Sequence, residues 1–134
     1  MKYEELKKLL AGKKTRKKPF HLESAIQQSC VLWFRAKYPE YIIMSIPNGG
    51  SRNKIEAANL RREGALAGAS DLVVIATKAV LFVEIKRKNG RQQASQKLFQ
   101  QNVERLGHEY KICRSLNNFQ LSIERWIKEI TRVQ

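Results

Sequence analysis

Leu22, Ile26, Cys30, Trp33 and Phe34 recur at the spacing of one helix face, which predicts a helix from about residue 21 to 37, closed before Pro39. Tyr41 to Ile46 is a β-branched and aromatic run and reads as a strand. Pro47-Asn48-Gly49-Gly50-Ser51 is a cluster of turn formers. Asn53 is placed to cap a short helix that carries Ile55, Ala58 and Arg62 and stops near Gly64. Two apolar runs, Asp71 to Ala76 and Val80 to Lys86, read as strands, and the brief Thr77-Lys78-Ala79 link predicts an antiparallel hairpin. Asn89-Gly90 marks another turn. Ala94, Leu98, Val103 and Leu106 define a long helix with Gly107 at its C-cap position. Glu109 to Cys113 is a last strand, and Phe119, Ile123, Trp126, Ile127 and Ile130 mark a last helix. The order αβ(α)ββαβα predicts an α/β domain, a mixed β-sheet flanked by helices on both faces. The passage from the hairpin through the long helix to the last strand is a crossover, expected to be right-handed. Trp33 and Trp126 fall on helical apolar stripes and are expected in the core. The last helix has apolar positions enough for the core, with an interface as the other use for them.

The chain has 134 residues, which suits one domain. Its apolar share of 43% is enough for a core and argues against wholesale disorder. No apolar run approaches the roughly 20 residues of a membrane span. Met1 to Leu10 carries Glu4 and Glu5 and no long apolar stretch, unlike a secretory signal. The expectation is a cytoplasmic, DNA-associated protein of a bacterial or phage-infected cell, with no membrane partner. Cys30 and Cys113 lie in apolar settings without metal-ligand spacing, as buried free thiols would. Charge changes the picture most. There are 26 Lys and Arg against 12 Asp and Glu, a net of +14. Residues 1–18 hold a net +6 and form a basic tail; Tyr3, Leu6 and Leu10 give it one weak helical stripe. Residues 19–134, the domain proper, hold the remaining +8. A surplus on this scale points first to nucleic acid, whose phosphates offer a dense line of negative charge.

Alternation along Phe82-Val83-Glu84-Ile85-Lys86 puts Leu81, Val83 and Ile85 on one face and Phe82, Glu84 and Lys86 on the other. An acid and a base on one face of an apolar strand are awkward to bury, but tolerable where a strand end opens into a cleft. Asp71 begins the preceding strand, so a hairpin turning at 77–79 brings it beside the Glu84–Lys86 pair. Two carboxylates and an ammonium at one place suit phosphodiester hydrolysis. Carboxylate oxygens are preferred ligands of Mg²⁺, which polarises phosphate and acidifies water. A lysine there can orient that water or stabilise developing charge. The same spacing also fits a surface ion pair between Glu84 and Lys86, with Asp71 as a turn residue. His21 and His108 are single and unpaired by pattern.

Asp71 followed by Glu84-Ile85-Lys86 resembles the PD-(D/E)xK signature of restriction-endonuclease-like nucleases. The wider set is more specific. Glu23 and Gln27, Pro47-Asn48-Gly49-Gly50, Gly68-Ala69-Ser70-Asp71, Val83-Glu84-Ile85-Lys86 and Ser95-Gln96 occur in this order, and together they resemble the virus-type replication and repair nuclease (VRR-NUC) domain over about residues 20–115. Ser70 stands where the broader signature has proline, which leaves the ligands intact. The resemblance implies a restriction-endonuclease-like core and Mg²⁺- or Mn²⁺-dependent DNA cleavage, with no small-molecule cofactor. It implies metal held by Asp71, Glu84 and the Ile85 carbonyl, with Glu23 completing the shell directly or through water. Lys86 then assists the nucleophile and Gln96 lines the site. On the residues alone, Glu23 and Gln96 also pass as surface helix positions, and Asn48-Gly49-Gly50 as a plain turn. Those glycines also let the backbone approach a phosphate. With Arg52, Lys54, Arg61, Arg62, Lys88 and Arg91 they form the expected DNA-binding rim. Structured or branched, Holliday-junction-like DNA is the implied substrate, met in replication, recombination or repair. A homodimer is expected because one small domain offers one site and two strands need two cuts. The alternative is a non-catalytic basic nucleic-acid-binding module. A sequence-specific restriction-type enzyme is disfavoured, since no insertion is large enough for a recognition domain.

Overall fold

The fold is that of a computed structural model, which describes residues 21–47 and 53–133. The basic tail and the segment from Asn48 through Arg52 lie outside the described residues. Within them the order is α1 (Leu22–Lys37), β1 (Ile42–Ser45), α2 (Lys54–Arg62), β2 (Leu72–Ala76), β3 (Ala79–Ile85), α3 (Ala94–Arg105), β4 (Glu109–Cys113) and α4 (Leu116–Val133). The strands form one mixed sheet in the order β1-β2-β3-β4. β1, β2 and β3 pair antiparallel, while β4, reached through α3, lies parallel to β3.

Strand alternation sorts the sheet into two faces. Ile43, Leu72, Val74, Ala76, Leu81, Val83, Ile85 and Cys113 point to one side and meet Cys30 and Phe34 of α1 and Phe119, Ile123 and Trp126 of α4. Burial of such side chains is the main stabilising term, roughly 1.5–3 kcal/mol for each large aliphatic or aromatic residue. The apolar stripe of α4 is thereby used inside the molecule. Trp33 stacks edge-on against Phe119 at 5.9 Å, so both tryptophans belong to this core. The opposite face carries α3, where Phe99 meets Phe82 at 5.5 Å and Tyr110 at 6.2 Å. Helices therefore flank both faces.

Local chemistry sets most element ends. The Asn53 side chain accepts from the Glu56 N–H at 2.8 Å and starts α2 as a cap. α3 ends on Gly107 (φ 89°), where the Gly107 N–H reaches the Glu104 carbonyl and the His108 N–H the Val103 carbonyl. Two details differ from the sequence expectation. The β2–β3 turn holds two residues, Thr77 and Lys78, because Lys78 takes φ 58° and Ala79 already pairs with Ala76. The inward face of α3 is set by Phe99 and Val103; Leu98 and Leu106 of the predicted stripe are 58% and 64% exposed. Cys30 and Cys113 are buried and free, and burial pushes their thiols up to about 12 and about 11. Among the described residues no helix is long and apolar enough to cross a membrane.

Candidate active site

β2 and β3 are the two central strands, and their pairing ends with Leu72 opposite Val83. Beyond that pair, Ile85 has no ladder partner on the β2 side. The Asp71 carboxylate takes that place, its Oδ2 accepting from the Ile85 N–H at 2.7 Å. The Asp71 carbonyl is bonded in turn by the Ile46 N–H at 2.9 Å, and Lys86 is tied to β4 through its N–H and the Cys113 carbonyl at 3.0 Å. The backbone under the acids is thus fixed from both sides.

Glu84 is only 2% exposed, with the Asp71 carboxylate as its neighbour. Burial first, and then the neighbouring Asp71 carboxylate, push its carboxyl up to about 9, while Lys86 and a hydrogen bond from Tyr110 act the other way. Lys86 is 8% exposed, an uncommon setting for an ammonium. It shares a hollow of about 400 Å³ with Glu23, Arg87 and Arg91. The donors are hard oxygens, and crowded buried carboxylates gain most from a cation between them, so the residues fit Mg²⁺ or Mn²⁺.

Glu23 lies in the first turn of α1 and reaches the loop after β3, where its Oε2 accepts from the Arg87 N–H at 3.0 Å. Among the described residues no three His, Cys, Asp or Glu side chains gather as a metal cage. The structure therefore brings Asp71 and Glu84 together and sets Glu23 alongside Lys86, engaged with the backbone. Gln96 is half-buried in the first turn of α3, where its Oε1 accepts from the Gln93 N–H at 2.8 Å and caps the helix. Gly68 explains why these segments belong together. It takes φ 81°, and a Cβ there would lie 2.3 Å from the Ser95 carbonyl carbon and oxygen. The run that delivers Asp71 is thus seated directly on the start of α3. Ser70 is fully buried and its hydroxyl donates to the Leu72 carbonyl at 3.0 Å.

Of the expected rim, Lys54, Arg61 and Arg62 are exposed on α2, which buries none of its residues, and Arg62 bonds Asn59. Lys88 and Arg91 are exposed on the loop after β3. Asn48, Gly49, Gly50 and Arg52 lie outside the described residues. Sequence reasoning missed the side chains that hold this region. Arg114 Nη1 donates to the carbonyls of Gly90 at 2.7 Å, Arg87 at 3.0 Å and Lys88 at 3.3 Å, fastening the loop. Tyr110 donates to Glu84 Oε2 at 3.2 Å, and Gln92 and Gln100 stand behind it. The one available signal was a tyrosine in an apolar strand, since a buried phenol needs a hydrogen-bond partner.

No curated protein matches the chain. Among the solved structures that share its fold are a VRR-NUC domain protein at 23% identity and TM-score 0.67, covering 79% of this chain and 88% of that one, and a VRR-NUC domain at 20% identity and TM-score 0.55, covering 76% and 94%. The sequence profile of the VRR-NUC domain matches residues 16–117. That span contains the central strands, both acids, Lys86 and the start of α3, and the chain accordingly belongs to the VRR-NUC domain family, a nuclease-family fold.

Proposed function

We propose that the chain is a Mg²⁺- or Mn²⁺-dependent DNA endonuclease that hydrolyses phosphodiester bonds in structured or branched, Holliday-junction-like DNA. In this reading it acts as a homodimer in replication, recombination or repair. The observation that carries it is the end of the central strands, where Asp71 accepts from the Ile85 N–H at 2.7 Å between Glu84, 2% exposed, and Lys86, 8% exposed. A bound divalent cation would supply polarisation of the scissile phosphate and acidification of water. Asp71 and Glu84 would hold it, joined by the Ile85 carbonyl and by Glu23 from α1, directly or through water. Lys86 orients the attacking water or stabilises the negative charge that builds on the phosphate oxygens. Gln96 lines the site at the start of α3. Water adds to phosphorus, the bond to one sugar oxygen breaks, and that oxygen leaves with a proton. Lys54, Arg61, Arg62, Lys88 and Arg91 contact phosphates around the site, joined by Asn48, Gly49, Gly50 and Arg52, which follow β1 in the sequence and lie outside the described residues.

Incubation with plasmid, linear and four-way-junction DNA, each with EDTA, Mg²⁺ or Mn²⁺, tests this reading. Cleavage that needs the metal and favours the junction is the expected result. DNA binding without cleavage in either metal rejects the endonuclease and leaves a nucleic-acid-binding module.

A further inference from the structure

Tyr110 lies on β4, opposite Phe82 in the parallel register, so its side chain shares the face of β3 that carries Glu84. It is 5% exposed, and its phenol donates to Glu84 Oε2 at 3.2 Å. Gln92 Nε2 donates to the same phenol oxygen at 3.3 Å and is itself held by donating to Gln100 Oε1 at 2.9 Å. A phenol has one proton. With a donor already aimed at its oxygen, that proton is committed to the carboxylate. Packing alone does not explain a tyrosine here, because phenylalanine would fill the same space against Phe99. The four residues of the relay come from β3, the loop after it, α3 and β4. None of these elements needs the relay for its own backbone bonds.

We infer that Tyr110 is a positioning residue for Glu84, with Gln92 and Gln100 directing its hydroxyl. The inference rests on the reading that Asp71 and Glu84 hold a divalent cation. The phenol occupies Oε2 and so fixes how the carboxylate is turned toward Asp71. Ligating carboxylates are commonly oriented by such outer partners, whose loss weakens metal binding by about ten- to a hundredfold.

The test is Mn²⁺ binding, measured by electron paramagnetic resonance of the free ion, on wild type, Tyr110→Phe, Gln92→Leu and Asp71→Asn. Tyr110→Phe keeps the ring and removes only the hydroxyl. It is expected to weaken Mn²⁺ binding by about tenfold or more and to raise the half-saturating Mn²⁺ for cleavage equally. Cleavage at saturating Mn²⁺ should stay near the wild-type rate, and DNA binding in EDTA should not change. Gln92→Leu should move metal binding in the same direction by less. A merely structural tyrosine would lower thermal stability and the maximal rate and leave the Mn²⁺ affinity alone; that result overturns the inference. Asp71→Asn separates the two levels. If wild type binds Mn²⁺ in an Asp71-dependent way and Tyr110→Phe binds equally well, only the role of Tyr110 falls. If wild type shows no Asp71-dependent binding, the metal-site reading falls with it.

Discussion

Glu84 ionises against burial and against the neighbouring Asp71, so stability and the proposed catalysis make opposite demands on it. Glu84→Gln separates them. The amide oxygen can still accept from Tyr110 while its NH₂ donates to Asp71. The variant should be as stable as wild type or more so, by thermal melting without metal. Its cleavage should fall by at least about a hundredfold, since a metal centre supplies several kcal/mol of charge stabilisation and each 1.36 kcal/mol is tenfold in rate. Asp71→Asn should lose cleavage similarly, and Lys86→Met should lose it while still binding Mn²⁺. Near-wild-type cleavage in both acid variants would reject the site. The thiols give a second prediction. Cys30 and Cys113 are pushed up to about 12 and about 11, chiefly by burial, from the ordinary thiol value of about 8.5. A raised folded-state value contributes stability that is whole below the unfolded value and lost as pH climbs through the folded one. Urea unfolding in reductant should therefore show stability falling between about pH 8.5 and 11, and less so in a Cys30→Ala/Cys113→Ala variant. An equal fall in both proteins removes the thiols as the cause. The placement of Asp71, Glu84 and Lys86 at one end of the central strands was readable in advance because strand alternation and a short hairpin are local rules. Tyr110 and Arg114 were not, because their roles depend on the register of a strand that returns only after a crossover. Glu23 and Gln96 were half-readable. Their helices were evident, but not that their side chains would bond the Arg87 and Gln93 backbones.

Two segments meet without room for a side chain where Gly68 touches the start of α3. Its φ of 81° disfavours a side chain, and an added Cβ would stand 2.3 Å from the Ser95 backbone. Gly107 has a similar φ of 89° but nothing within 4 Å of such a Cβ. Alanine at Gly107 should therefore cost only the left-handed conformation, about 1–2 kcal/mol. Alanine at Gly68 should cost clearly more, because backbone must move as well, and it should also displace Asp71 and lower cleavage. Urea denaturation of the two variants checks this; equal losses would mean that the Gly68 contact gives way freely. Helix and strand positions were legible because periodicity, an asparagine cap and a C-terminal glycine are written locally. The face that α3 presents was misjudged by one position. Leu98 and Phe99 are equally apolar, and only the aromatic contacts with Phe82 and Tyr110 choose between them. The parallel placement of β4 followed from the long crossover, but its register with β3 is written in no local signal.

At the scale of the whole molecule, charge and symmetry take over. In the proposed reading a net charge of +14 draws the chain to DNA phosphates, and that attraction says nothing about how many strands are cut. One chain presents one Asp71–Glu84–Lys86 set. Duplex DNA and a four-way junction each relate their strands by approximate two-fold axes. A closed two-fold dimer places identical sites against equivalent phosphates, which is the simplest way to cut both. The core limits where such a dimer can form. Phe119, Ile123 and Trp126 of α4 are buried against the sheet within the single chain, so that stripe is not the contact surface. Light scattering at micromolar concentration should give a particle of twice the 15.5 kDa chain mass. Mixing wild type with an excess of Lys86→Met should convert paired cuts into single-strand nicks while the total incised strands fall only in proportion to the active chains. A particle of one chain mass that makes only nicks, unchanged by the inactive partner, would sink the paired-cut dimer and leave the nuclease site untouched.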